Sequence, residues 1–225
     1  MAYQLSMEMR MSIKRATTYV KWSIYALSFV QTCSAISSYM QFNLLEKLNT
    51  GFITAEQSDV LAITNDNREQ TIGLVFLVVF ITTAFLSGRW IYLSSKHNHQ
   101  SGAEGLRYSP GWSIGWYFIP IFLFWKPYQA MKQIYQVSVD KDNWKEIGIP
   151  GVFPIWWTLW IISNVIGQVM FRTSNIANDI DSLQLHSLAY VVTLPLELAL
   201  NYYFLQVIFK ISHNINPMSL EETAN

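Results

Sequence analysis

Leu74-Val75-Phe76-Leu77-Val78-Val79-Phe80-Ile81 decides the fold. These residues are all apolar, and they sit inside a mostly apolar stretch over residues 71–93. A bilayer crossing needs about 20 such residues. Three further stretches read as spans: residues 20–45, 152–171 and 183–209. The first is rich in serine and only moderately apolar. The stretch over 152–171 opens on Trp156, Trp157 and Trp160. Trp and Tyr lie near several span ends, as the two membrane interfaces require.

The composition agrees. Of 225 residues, 51% are hydrophobic, 15% aromatic and 13% charged. Soluble domains carry roughly 25% charged residues. Disordered chains, disulfide scaffolds and water-soluble globules are thereby excluded. The fold class expected is all-α, a polytopic helical bundle forming a single transmembrane domain over residues 1–225. Fifteen Lys/Arg balance fifteen Asp/Glu, so the charge gives no sign of a nucleic-acid partner. Cys33 is the single cysteine; it rules out an intrachain disulfide and reads as an apolar filler. The N-terminal apolar stretch starts late, contains Lys21 and lacks a small-x-small cleavage site, so it reads as an uncleaved first span.

A fifth apolar run, residues 111–125, is too short for a comfortable straight span. Pro110 precedes it, Pro120 interrupts it and Pro127 follows it. Proline removes a backbone donor and clashes inside a helix. The next segment, 127–138, places Met131, Ile134 and Tyr135 opposite Gln129, Lys132 and Gln136. That pattern predicts an amphipathic helix at an interface, with Pro127 in its first turn.

Cytoplasmic loops carry excess Lys/Arg. If the short run dips in and returns, twelve of the fifteen Lys/Arg fall on the inner side; if it spans, only eight do. The expected topology is therefore four main spans, both termini cytoplasmic, and one re-entrant segment. A kinked crossing over residues 111–137 is the alternative, since membrane helices tolerate proline. The loops read as polar stretches between spans: a charged external loop holding Lys47, Asp59, Asp66, Arg68 and Glu69, a cytoplasmic loop over 94–109, and a short tail over 213–225.

The motif around the short run resembles a known pattern. Its residues are Pro110, Gly111, Trp112, Gly115, Trp116, Tyr117, Phe118, Pro120, Pro127 and Tyr128, followed by the Trp156-Trp157 pair. They are similar to the signature of a bacterial membrane-protein family, that of domain of unknown function 4328. Where that family carries a polar Asn-Leu pair between the prolines, this chain has Phe122-Leu-Phe-Trp125. The resemblance implies a multi-helix protein of the bacterial inner membrane. It brings no activity with it.

One constellation stands out. Glu197 is the only acidic residue inside a predicted span, and such residues are functional candidates by default. Thr193, Glu197 and Asn201 recur at i, i+4, i+8, making a polar stripe beside Pro195. Asn164 and Gln168 form a second stripe, expected to face Glu197 across the bundle. Ser23, Ser28, Gln31, Thr32, Ser34 and Ser38 make the first span polar, so it should sit against protein or a wet cavity. Ala84 with Gly88, and Gly111 with Gly115, are small-x-x-x-small pairs that permit close approach. His97 and His99 lack a partner at metal-binding spacing. The basic set Lys126, Lys132, Lys141 and Lys145 suits anionic lipid heads.

No catalytic motif is present, and neither a cofactor nor a metal is expected. The leading expectation is a non-enzymatic membrane module of the bilayer that assembles with a second copy or a membrane-protein partner. The alternative is a small transporter or channel with a midplane polar site around Glu197.

Overall fold

The computed structural model describes residues 2–51, 55–174 and 179–216. Among them every regular element is helical. Six α-helices follow one another: α1 (Ala2–Asn49), α2 (Ala55–Gln100), α3 (Trp112–Gly115), α4 (Lys126–Val139), α5 (Val152–Ser174) and α6 (Ile180–Ile215). Short 3-10 turns cover Trp116–Phe118, Phe122–Phe124 and Trp144–Glu146. Most of the tail expected over 213–225 lies outside the described residues.

Three helices, α2, α5 and α6, are long and apolar enough to cross a membrane. In α2 only 6% of the most apolar window is buried. Leu74, Val78, Ile81 and Phe85 are all exposed, as side chains facing lipid would be. The first predicted span lies within α1, whose 48 residues are long enough but more polar.

The helices overrun the predicted spans. At about 1.5 Å per residue, the 46 residues of α2 reach more than twice the depth of a hydrocarbon core. The charged loop expected before residue 71 is therefore mostly helix, and so is the first part of the loop expected over 94–109. Partners on neighbouring helices account for both extensions. Arg68 donates to the Ser37 hydroxyl and carbonyl on α1 and to Asn65 one turn away on its own helix. Ser94, Ser95 and Asn98 are buried, and Asn98 donates to the Ile134 carbonyl at 3.0 Å.

The described residues group into two compact units. One gathers those of Met1–Ile24, Thr83–Thr158 and Tyr202–Asn225; the other gathers those of Tyr25–Thr82 and Leu159–Asn201.

The first unit has a close-packed core. Ile13, Val20 and Ile24 of α1, Trp90 of α2, Met131 and Ile134 of α4, Phe153 of α5 and Ile208 and Ile211 of α6 are almost fully buried. A polar pin crosses it. The Trp90 indole N–H lies 3.0 Å from Thr17 Oγ1 and 3.3 Å from Ser212 Oγ. The two hydroxyls are themselves 2.8 Å apart, so a buried indole donor is satisfied where it would otherwise cost stability.

Helix α4 is more deeply built in than an amphipathic surface helix. Met131 and Ile134 are buried as expected, but so are Gln133 and Gln136. Gln136, expected on the polar face, is buried instead, and its amide donates to the Ile147 carbonyl at 2.6 Å. Asn214 on α6 donates to Ser138 at 3.1 Å. Pro127 lies in the first turn of α4, where its missing donor is harmless.

The second unit carries polar side chains in its interior. Ser37 Oγ donates to Glu69 Oε1 at 2.5 Å, and Arg68 donates to Ser37 Oγ at 2.8 Å and to Asn65 Oδ1 at 2.6 Å. Ser187 on α6 donates to Gln41 on α1 at 3.1 Å.

Candidate functional site

Glu197 sits on the part of α6 belonging to the second unit. Its carboxylate accepts from Ser163 Oγ at 2.5 Å and from Gln31 Nε2 at 3.4 Å. Asn201, one turn further along α6, donates to Gln31 Oε1 at 2.8 Å and lies 2.9 Å from Ser28 Oγ. Ser28, Asn201, Gln31, Glu197 and Ser163 thus form one chain of hydrogen bonds joining α1, α6 and α5. The i, i+4 spacing of Glu197 and Asn201 puts both on the α6 face that meets Gln31.

Thr193, expected in the same stripe, is not part of this chain. Its hydroxyl donates to the Tyr190 carbonyl at 3.1 Å, closing a local bond within α6.

Asn164 and Gln168 do not meet Glu197 at all. Both are exposed, and Asn164 donates to the carbonyl of Trp160 at 2.7 Å. The helical rotation explains this. Ser163 faces inward to Glu197, and the next residue is turned by about 100°. Gln168 has no hydrogen-bond partner among the described residues. Near it, a Cβ added at Gly167 would meet no atom within 4 Å. The outer face of α5 in this unit is therefore a pair of carboxamides beside open space.

The signature segment lies in the first unit. Its backbone is broken: α3 spans one turn, a 3-10 turn follows, and Ile119 is extended (φ −102°, ψ 112°). Pro120 imposes that extension, because the residue before proline avoids the helical region. Pro110 and Gly111 form the turn that leads into α3. A Cβ at Gly111 would touch nothing within 4 Å, whereas one at Gly115 would lie 3.0 Å from the Trp112 ring. The role of Gly115 is to let that indole fold over it. At Gly88 the nearest atom, on Ile114, would be 3.7 Å away, an ordinary contact.

Aromatic contacts then run along the segment. Ring centroids are 4.6 Å apart for Trp112 and Trp116, 5.2 Å for Trp116 and Phe122, and 5.6 Å for Phe122 and Trp125. Trp157 staples the segment to α5: its indole donates to the Phe124 carbonyl at 2.9 Å. The Tyr117 and Tyr128 rings lie 6.4 and 6.1 Å from it. Trp156 stacks on Phe204 at 5.4 Å.

Beside the first two rings of this ladder is a hollow of about 360 Å³. Trp112 and Trp116 wall it, and Arg107, Ser109, Lys126 and Gln129 supply its polar lining, with Tyr108 between them. Lys126 Nζ stands 5.5 Å from the centre of the Tyr108 ring and 5.6 Å from that of Trp116. The Tyr108 hydroxyl donates to Gln129 Oε1. Gln133 holds the segment before α3 in place, accepting from the Arg107 backbone at 2.8 Å. Sequence reading placed Lys126 in a basic set and did not assemble this hollow. The signal available was the position of Tyr108 and Lys126 at the two ends of the Pro-bounded run.

His97 and His99 occupy the last turn of α2. A ring nitrogen of His99 lies 2.9 Å from the Ser95 carbonyl. Among the described residues no group of three or more His, Cys, Asp or Glu is placed to hold a metal ion.

The family model described as "Domain of unknown function (DUF4328)" matches residues 54–213. No curated protein and no solved structure matches the chain.

Proposed function

Since the chain belongs to the DUF4328 family, whose function is unknown, we propose from its fold that it is a non-enzymatic assembly module of a bacterial inner membrane. Two copies meet through the outer face of α5. In this reading α1 crosses the bilayer alongside α2, α5 and α6, and both termini are cytoplasmic. The broken segment over 111–125 dips in and returns. The Lys/Arg distribution supports that topology.

One observation carries the assembly reading. Asn164 and Gln168 are exposed on a helix apolar enough to span. Polar groups in hydrocarbon seek hydrogen bonds, and between helices they act as glue. A carboxamide carries both donor and acceptor, so the same face on a second copy satisfies it. Gly167 leaves room for that approach.

Cysteine cross-linking in native membranes tests this, in a Cys33→Ser background. Ile161 shares a helix face with Asn164 and Gln168 at i+3 and i+7, whereas Ile162 points elsewhere. An oxidised dimer with Ile161→Cys and none with Ile162→Cys is expected. No dimer at either position, or equal dimer at both, counts against the reading.

A second reading rests on the hydrogen-bonded Glu197. A carboxyl group at membrane depth joining three helices is a recurrent feature of transporters and channels. Ion flux in liposomes that falls with Glu197→Gln would favour this reading. Flux indifferent to that substitution would remove Glu197 from it.

A further inference from the structure

The geometry points to a phosphate-binding site in the hollow beside the signature segment, suited to the headgroup of an anionic lipid. Four observations lead there. The hollow, about 360 Å³ in volume, is lined by two cations, Arg107 and Lys126, and by no carboxylate. Among the described residues neither cation forms an ion pair; Lys126 stands over aromatic rings instead. An unneutralised Arg and Lys on one concave surface are complementary to a phosphate, the Arg fork especially so.

Neutral donors add to the charge. Tyr108 engages the carbonyl oxygen of Gln129, which leaves the Gln129 amide N–H₂ without a partner among the described residues. The Ser109 hydroxyl lines the same wall.

The lining is also held in place. Gln133, buried on α4, bonds the backbone on both sides of the Arg107–Tyr108 link, at 2.8 Å and 3.5 Å. The backbone that presents Arg107 is therefore fixed before binding.

The surroundings specify the carrier of the phosphate. From Trp116 the ring ladder passes to Phe122 and Trp125, both exposed, with exposed Ile121 and Phe124 alongside. A soluble phosphate has no use for an apolar rim, whereas a lipid lays its acyl chains on one. The shared chemistry is a phosphate oxyanion. This site is independent of the α5 face.

The test is native mass spectrometry of the full-length protein in mild detergent. It is titrated separately with phosphatidylglycerol, phosphatidylcholine and inorganic phosphate. Phosphatidylglycerol is expected to bind more tightly than phosphatidylcholine. Arg107→Gln and Lys126→Gln should each weaken it about fivefold, the equivalent of roughly 1 kcal/mol per surface cation. Lys210→Gln, exposed on α6 and outside the hollow, should leave binding unchanged and reports on folding. Inorganic phosphate that fails to displace the lipid assigns the site to a lipid headgroup; displacement with the same dependence on Arg107 and Lys126 assigns it to phosphate itself. Equal binding of the two lipids, or binding that survives both Gln substitutions, overturns the site.

Discussion

The hydroxyl of Ser163 donates to Glu197 Oε1 at 2.5 Å, so the Ser163 side of α5 faces α6 at this level. With Ser163 turned in, Asn164 and Gln168 are turned out. A polar helix face expected to line the bundle lines its surface instead.

The Ser163–Glu197 pair should be measurable as a coupling. A double-mutant cycle of Ser163→Ala and Glu197→Gln, followed by unfolding in detergent, is expected to give about 0.6 kcal/mol, and no more than roughly 1.7. Glu197→Leu should cost more, about 1–3 kcal/mol, because Ser163 and Gln31 both lose an acceptor. A Leu variant as stable as the parent would show that the network contributes nothing.

How far the sequence revealed this depends on the kind of signal. The cores of the spans were legible because an apolar run such as residues 74–81 has no other reading. The ends of α2 were not, because Arg68 and Asn98 become helical through partners on α1 and α4, which lie far away in sequence. Glu197 and Asn201 were legible as a pair by their four-residue spacing. Their partners Gln31 and Ser28 were visible only as general polarity of the first span. The rotation of α5 was hidden, since Ser163 and Asn164 are adjacent polar residues and only the packed helix selects between them.

Trp90 separates volume from hydrogen bonding in the first unit's core. It is fully buried and donates to Thr17 and Ser212. Trp90→Phe should lose about 1 kcal/mol, since Thr17 and Ser212 retain each other. Trp90→Ala should lose about 3–5 kcal/mol. Thermal unfolding in detergent reads both, and equal losses would contradict this ordering.

Asp140 closes the turn after α4. Its carboxylate accepts from the backbone N–H of Asp142 at 2.9 Å and of Asn143 at 3.2 Å, with the Asn143 side chain adding a third bond. These bonds, that from Asp142 foremost, hold its carboxyl below the ordinary 3.8. The charged form is thus favoured in the folded turn. The contribution is fully present above 3.8 and is lost as pH falls through the lower folded value. A carboxyl ¹³C titration in micelles should show a midpoint below 3.8, and one at or above it would contradict the assignment.

Topology is tested at Asn143, which is exposed in the turn that follows α4. In a Cys33→Ser background, Asn143→Cys should react with an impermeant thiol reagent only from the cytoplasmic side. Reaction only from outside would mean that residues 111–137 cross the membrane and that the C-terminus is external.

The most direct test of the assembly claim is subunit counting by single-molecule photobleaching, with a fluorescent C-terminal tag in dilute liposomes. The parent chain should bleach in two steps, and Asn164→Leu/Gln168→Leu in one. A parent that bleaches in one step, or a double variant that still bleaches in two, would contradict it.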